Sequence, residues 1–305
     1  MPERADAVVV QEVCERQGDR VRFQGRVDPG SNVRRAGEDI QAGQELLPAG
    51  TRLAPQHLGL AASVGLAELP VFRRLRVTIF STGDELVMPG QALAPGQIYN
   101  SNRFVLTGLL QALDCQIVDL GIVRDNFDDT RQALHDASFK SDLILATGGV
   151  SVGEEDHVKP AVEALGTLDL WKIGIRPGKP LALGRIGETP FIGTPGNPVS
   201  LFVTFCLLAR PFILRRQGMT QVMPEPIPVV ADFDWPRAAT RREYARARLR
   251  WDAASGVGRV SIYPSRSSGV LNSVVWANGV AVIPENQTLQ KGDRLEFFPM
   301  RELMP

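Results

Sequence analysis

The sequence predicts an α/β protein: a mostly parallel sheet covered by helices on both faces, followed by a small C-terminal β-barrel and preceded by a few N-terminal strands. Three observations predict this. Between residues 73 and 218, short apolar runs alternate with amphipathic segments across short connections, the pattern of a wound parallel sheet. After Gly218 the chain turns to short strand-like runs separated by Gly and Asn turns. Before residue 73 it is polar, with two strand-like runs that cannot bury a face by themselves.

Taken in order, 8–10 (three valines) reads as a strand and 21–27 alternates like another. Residues 31–55 are rich in Gly, Arg and Glu. A helix is expected over 54–64, with Pro55 in its first turn and Gly65 as its stop. Strands at 77–81, 116–120 and 142–146 then alternate with helices at 102–113, 127–137 and 158–165. The first of these helices rests on the spacing of Phe104, Leu106, Leu109, Leu110 and Leu113. Short strands at 180–184 and 190–193 suit a hairpin, and 197–216 a long helix. Its apolar stretch, 199–208, falls short of the ~20 residues of a membrane span and is read as a core helix. Residues 223–228, Met-Pro-Glu-Pro-Ile-Pro, form a linker or extended lead-in. Strands at 229–230, 244–251, 259–263, 279–283 and 294–298 make a barrel or sandwich of roughly 80 residues. The expected division is 1–72, 73–218 and 219–305.

Composition narrows the function. Acidic and basic residues number 34 each, so no broad basic field exists for nucleic acid or an anionic membrane. Cys14, Cys115 and Cys206 are widely spaced, and His57, His135 and His157 do not cluster. That argues against a zinc site or disulfide framework and for a reducing, cytoplasmic setting. The polar start Met1-Pro2-Glu3-Arg4 is not a signal peptide.

The chemistry-bearing loops follow strands, where ligand crevices of wound sheets lie. After the strand at 142–146, Thr147-Gly148-Gly149 can turn backbone N–H groups toward a ligand, and Glu154, Glu155 and Asp156 follow. Amides beside clustered carboxylates suit a phosphate bridged by a divalent metal; a strand-to-helix turn with helix-capping acids is the plainer alternative. Ser81-Thr82-Gly83-Asp84-Glu85 offers a hydroxyl, a glycine and two carboxylates, or simply an N-cap. Asp125, in Val123-Arg124-Asp125-Asn126, faces the crevice or caps a turn. In Lys172-Ile173-Gly174-Ile175-Arg176-Pro177-Gly178-Lys179, alternation sends Lys172 and Arg176 to one side, where cations suit an oxyanion. In Thr194-Pro195-Gly196-Asn197-Pro198, two prolines fix a turn whose backbone Gly196 leaves open.

In sequence these loops resemble the molybdopterin molybdenumtransferase family, MoeA and the gephyrin E domain. The resemblance is carried by FSTGDEL (80–86), TGGVSVGEED (147–156), IRPGKP (175–180), TPGNPVS (194–200) and, upstream, NVRRAGEDI (32–40), in order along the chain. It implies that the central region is a three-layer molybdopterin-binding domain, and that residues 1–72 are remnants of β-rich N-terminal domains. The implied activity is insertion of molybdate into adenylylated molybdopterin with release of AMP, assisted by Mg2+. By motif position, Glu85, Asp125, Asp156, Lys172 and Asp39 match catalytic residues, Asp39 reaching the site from the other part of a homodimer. Glu85 and Asp156 are the implied metal ligands. Thr82, Gly83, Gly148, Gly149, Ser151, Arg176, Lys179, Pro195, Gly196, Asn197, Pro198 and Ser268 match the ligand-binding positions, with Arg176 standing where many members have lysine. Implied partners are the molybdopterin adenylyltransferase and recipient molybdoenzymes. Members carry about a hundred further residues, most of a domain, ahead of this start. A catalytically impaired binding module or scaffold is therefore the alternative. The adenylyltransferases themselves share the Gly-Gly loop but lack the 34–39 segment and the C-terminal β region.

Overall fold

The structure, a computed structural model, describes residues 1–149 and 157–304, with the backbone alone at 170–172. Ser151, Glu154, Glu155, Asp156 and the side chain of Lys172, all singled out above, lie outside the described residues. Contacts divide the chain into two units, Met1–Pro70 and Val71–Pro305.

In the first unit, strands β1 (Cys14–Gln17) and β2 (Arg20–Phe23) pair antiparallel around a tight turn at Gly18, whose φ of 60° a glycine adopts without strain. The expected strand at 8–10 is corrected. The turn at Gly18 draws 14–17 into the hairpin, and Val8 instead bonds a loop, its N–H to Ser31 O and its O from Asn32 Nδ2. Helix α1 (Pro55–Ser63) starts on Pro55, is capped by Ala54 N–H donating to His57 Nδ1, and ends before Gly65 at φ 84°. Ala61 is the one buried residue of this unit.

The second unit begins with β3 (Arg76–Thr82), the short pair β4 (Leu86–Val87) and β5 (Ile98–Tyr99), and α2 (Asn102–Ala112). Next come β6 (Gln116–Val123), α3 (Phe127–Ser138), β7 (Leu143–Thr147), α4 (Val158–Leu165), β8 (Gly166–Lys172), β9 (Ile175–Arg176), β10 (Pro180–Ile186) and β11 (Thr189–Thr194). One sheet has the order β6-β3-β7-β11-β10-β8. β6, β3, β7 and β11 are parallel; β10 runs antiparallel to both β11 and β8, closing the expected hairpin.

Alternation along the strands sorts the core into two layers. Val77, Ile79, Leu143, Leu145, Leu181 and Ile192 face α2 and the long helix after β11. Phe80, Ile144, Ala146, Ala182 and Phe191 face α3 and α4. The result is a sheet covered on both faces, as predicted.

The long helix comprises α5 (Pro198–Thr204), a π-turn at Phe205–Ala209 and α6 (Arg210–Arg216). Pro211 has no N–H to continue the ladder, and Arg210 N–H reaches back five residues to Phe205 O. Although long and apolar enough to cross a membrane, this helix is 72% buried within the protein, a core element.

β8 escapes the sequence pattern because α4 passes into it at Gly166 with no turn residues between. A β-carbon there would lie 1.9 Å from Arg185 O, so only glycine permits the pairing with β10. The single alternating strand expected through Lys172 and Arg176 is corrected. The chain leaves the first sheet after Lys172 and joins a second sheet as β9, so alternation does not relate the two residues.

That second sheet is built from β12 (Ile227–Ala231), β13 (Arg242–Trp251), β14 (Gly258–Ile262), β15 (Gly279–Ile283) and β16 (Arg294–Pro299), with α7 (Asn272–Trp276) before β15 and α8 (Met300–Leu303) at the end. Its order, β14-β12-β16-β15-β13, closes through β13–β14 pairing, so the region is a five-stranded barrel rather than a sandwich. Trp235, Ala247, Val260, Ala281 and Phe297 fill it. β9 pairs parallel with the first residues of β13, beside the stretch that β14 covers.

Candidate functional site

Register brings the predicted loops to one rim. Thr82 pairs with Val123, and Thr147 pairs with both Ser81 and Thr194. The carboxyl ends of β3, β6, β7 and β11 are thus level. The loops that leave them hold Gly83–Glu85, Asp125, Gly148–Gly149 and Pro195–Asn197.

These loops touch. Gly148 N–H donates to Thr194 O at 3.3 Å. A β-carbon on Gly148 would sit 2.3 Å from Thr82 O, and one on Gly149 2.7 Å from the Thr82 methyl group. At φ 87° and 59°, both glycines hold conformations that other residues rarely adopt. Thr82 Oγ1 donates to Asp125 Oδ1 at 2.9 Å, joining the first and second loops. Asp125 is half-buried, and Glu85 is exposed at the same rim.

Asn102, at the start of α2, ties the third loop to the fourth. Its Nδ2 donates to Thr147 Oγ1 at 3.0 Å and to Gly196 O at 2.7 Å, and Thr147 Oγ1 donates onward to Pro195 O. Asn102 Oδ1 is buried with no partner among the described residues. The sequence pattern presents this residue only as a helix start, since Asn there is the ordinary capping signal.

A second group of residues gathers beside α5. Ser268 O accepts from Val199 N–H at 3.0 Å, so the barrel loop at 265–268 meets the first turn after Pro195–Pro198. A β-carbon on Gly178 would meet the Thr204 methyl at 2.4 Å, which places the basic turn on the same helix. The barrel loop is anchored by Arg246, whose Nη2 donates to Ser265 O at 2.8 Å and Ser267 O at 3.1 Å. Arg176, whose peptide bond to Pro177 is cis, lies 3.7 Å from the carboxylate of Glu243. Burial, opposed by Glu243 and reinforced by the charges of Arg176 and Arg266, holds Arg246 below the usual arginine range.

Of the predicted site residues, Thr82, Gly83, Glu85, Asp125, Gly148, Gly149, Pro195, Gly196 and Asn197 share the rim. Pro198, Ser268, Arg176 and Lys179 lie around α5 and the basic turn, with Lys179 exposed. Asp39 is exposed in a loop of the first unit. Glu243, Arg246 and Arg266 were not singled out from the sequence. A signal existed: Glu243 stands in the inward series of β13 with Ala245 and Ala247, where a charge is out of place. Among the described residues no three His, Cys, Asp or Glu side chains cluster as a metal centre. The carboxylates at the rim are hard oxygen donors of the kind Mg2+ takes singly or in pairs beside phosphate.

Comparisons with known proteins match this chain along its length. A family model for the MoeA N-terminal region (domain I and II) matches residues 1–65. One for a probable molybdopterin binding domain matches 78–215, and one for the MoeA C-terminal region (domain IV) matches 228–300. A molybdopterin molybdenumtransferase of Haemophilus influenzae is 42% identical over 307 residues, spanning 100% of this chain and 76% of its own length. Molybdopterin molybdenumtransferase 2 of Mycobacterium tuberculosis is 35% identical over 94% of this chain and 71% of its own. The crystal structure of the molybdopterin biosynthesis MoeA protein of Pyrococcus horikoshii superposes with a TM-score of 0.76 at 29% identity, covering 96% of this chain and 72% of that one.

Proposed function

We infer the function from one premise: this chain belongs to the MoeA family of molybdopterin molybdenumtransferases. It is accordingly a transferase of molybdenum-cofactor biosynthesis. The reaction we assign is insertion of molybdate into adenylylated molybdopterin with release of AMP. The observation that carries it is the level rim at which Thr82, Asp125, Gly148 and Gly196 meet.

The roles are proposals. Amides of the Gly83, Gly148–Gly149, Ser151 and Gly196–Asn197 turns receive the phosphate groups, Pro195 and Pro198 stiffening the last of these. Lys172, Arg176 and Lys179 hold the incoming oxyanion and spread its charge, with Ser268 contributing from the barrel. Thr82 fixes Asp125 through its hydroxyl, so that the carboxylate keeps one orientation. Glu85 and Asp156 would hold Mg2+, an all-oxygen set that suits it. Bound there, Mg2+ would offset the negative charge of the phosphate groups. Asp39 acts from a second copy, which makes the working form a homodimer in the cytoplasm, receiving substrate from the adenylyltransferase and delivering product to molybdoenzymes. The chain divides functionally at 1–72, 73–218 and 219–305.

The test is a single-turnover assay with adenylylated molybdopterin, molybdate and Mg2+, reading AMP and mature cofactor. The wild type releases AMP. Glu85→Ala loses at least about 100-fold of that rate with an unchanged melting curve. Tight substrate retention without AMP release by the wild type would falsify the transferase assignment and leave a binding module.

A further inference from the structure

Glu243 occupies an expensive position. It belongs to the inward series of β13, and its side chain is 2% exposed. A carboxylate so removed from water persists only among compensating charges. Arg266 Nη2 donates to its Oε2 at 2.5 Å, and Arg176 Nε lies 3.7 Å from the same oxygen. Its Oε1 is buried without a partner among the described residues.

Glu243 does more than neutralise. Arg246 is also buried beside it, held by Ser273 Oγ and by the carbonyls of Ser265 and Ser267. Among the described residues, three guanidiniums therefore lie around one carboxylate, an excess of two positive charges. Arg176 and Arg266 are 40% and 38% exposed, open to an arriving ligand. Arg266 is further fixed by lying 4.2 Å over the Trp235 ring, while its Nε has no partner among the described residues. Arg176 comes from β9, where it pairs with Glu243 across the sheet, and Arg266 from the barrel loop that touches α5. Among the described residues, Glu243 forms an ion pair with both. A single anchor shared by two forks from different segments is what sets their mutual angle, and a tetrahedral oxyanion needs that angle fixed.

We propose that Glu243 is a positioning residue: it orients Arg176 and Arg266 into a paired guanidinium clamp for a tetrahedral oxyanion of the substrate. The clamp deepens the transferase reading and rests on it. Both molybdate and the adenylate phosphate have this chemistry, so the two are titrated separately.

Molybdate, and in a separate series AMP, is titrated calorimetrically into the full chain as wild type, Glu243→Gln, Arg266→Gln and the double variant. Each single substitution weakens at least one anion about tenfold, and the double variant loses clearly less than the product of the two single losses, because Glu243 acts in part through Arg266. The anion that responds identifies the occupant. With molybdate as occupant, turnover shows its KM raised while kcat stays within about twofold; with AMP, that split is absent. Glu243→Gln makes the cluster more positive, so a role in charge balance alone gives equal or tighter binding. That result, or strictly additive losses, overturns the proposal. Should Glu243→Gln fail to fold in a melting experiment, Arg266→Gln decides alone, and unchanged affinity for both anions refutes the clamp. A wild type that binds neither anion also refutes it, and AMP release by the same preparation then shows whether the transferase reading survives.

Discussion

At the scale of single residues, the rim depends on what is missing from Gly148. Its absent β-carbon leaves space for Thr82 O, a backbone atom that cannot swing aside, and its φ of 87° adds conformational cost to any replacement. Gly148→Ala is expected to lose about 2 kcal/mol or more in a urea melt, with loss of AMP release. Gly196 gives the contrast. Its nearest neighbour to a β-carbon is Gly148 Cα at 3.7 Å, ordinary contact, so Gly196→Ala should cost less than about 1 kcal/mol. Equal stability of the two variants would contradict the close approach. The need for glycine at 148 is legible in Thr147-Gly148-Gly149. The tie supplied by Asn102 is not, because its partners Thr147 and Gly196 are 45 and 94 residues away.

At the scale of elements, the opposite end of the sheet is pinned by Asp142, just ahead of β7. Its carboxylate accepts from Arg73 Nη1 and Nη2 at 2.6 Å each and from Arg76 N–H at 2.8 Å. The bonds from Arg73 come first among the causes that bring its pKa down to about 2, against the opposing effect of burial. A folded pKa below the unfolded value means that the contribution is complete above about pH 4 and disappears as pH falls toward 2. Asp142→Asn should therefore lower stability at neutral pH and flatten the decline between about pH 4 and 2. Denaturant midpoints at a series of pH values measure this; parallel curves for the two proteins would rule out the linkage. Most elements could be read from periodicity, β12–β16 included, because each carries its own alternation. β8 is not among them, because the helix stop at 165 is followed at once by the strand, with no turn residues to mark its start.

At the scale of the whole molecule, the first unit is conspicuous for what it leaves in water. Val8, Val10, Val13, Val21, Phe23, Leu58 and Leu66 are exposed, and a lone two-stranded hairpin is marginal. Such a surface is ordinarily covered. Under the proposed homodimer, equilibrium sedimentation of the wild type gives a dimer, and Val21→Asp with Phe23→Asp shifts it to monomer. A monomeric wild type, or a dimer indifferent to both changes, counts against that assembly. The barrel raises a different issue of scale. β9 leaves the α/β region to pair with β13, so the basic turn and the barrel loop are set by one closed sheet rather than by two independent domains.

The sequence by itself determined the layers, the barrel strands and the loops that carry chemistry, because periodicity and turn chemistry are local properties of consecutive residues. It also carried the motifs that identify the family. Only the tertiary structure decided which distant groups share an environment: Thr82 with Asp125, Asn102 with Gly196, and Glu243 with Arg176 and Arg266. Those pairings follow from strand register and from a chain crossing between sheets. A buried charge such as Glu243 can be assigned a role only when the cations that offset its desolvation are seen around it.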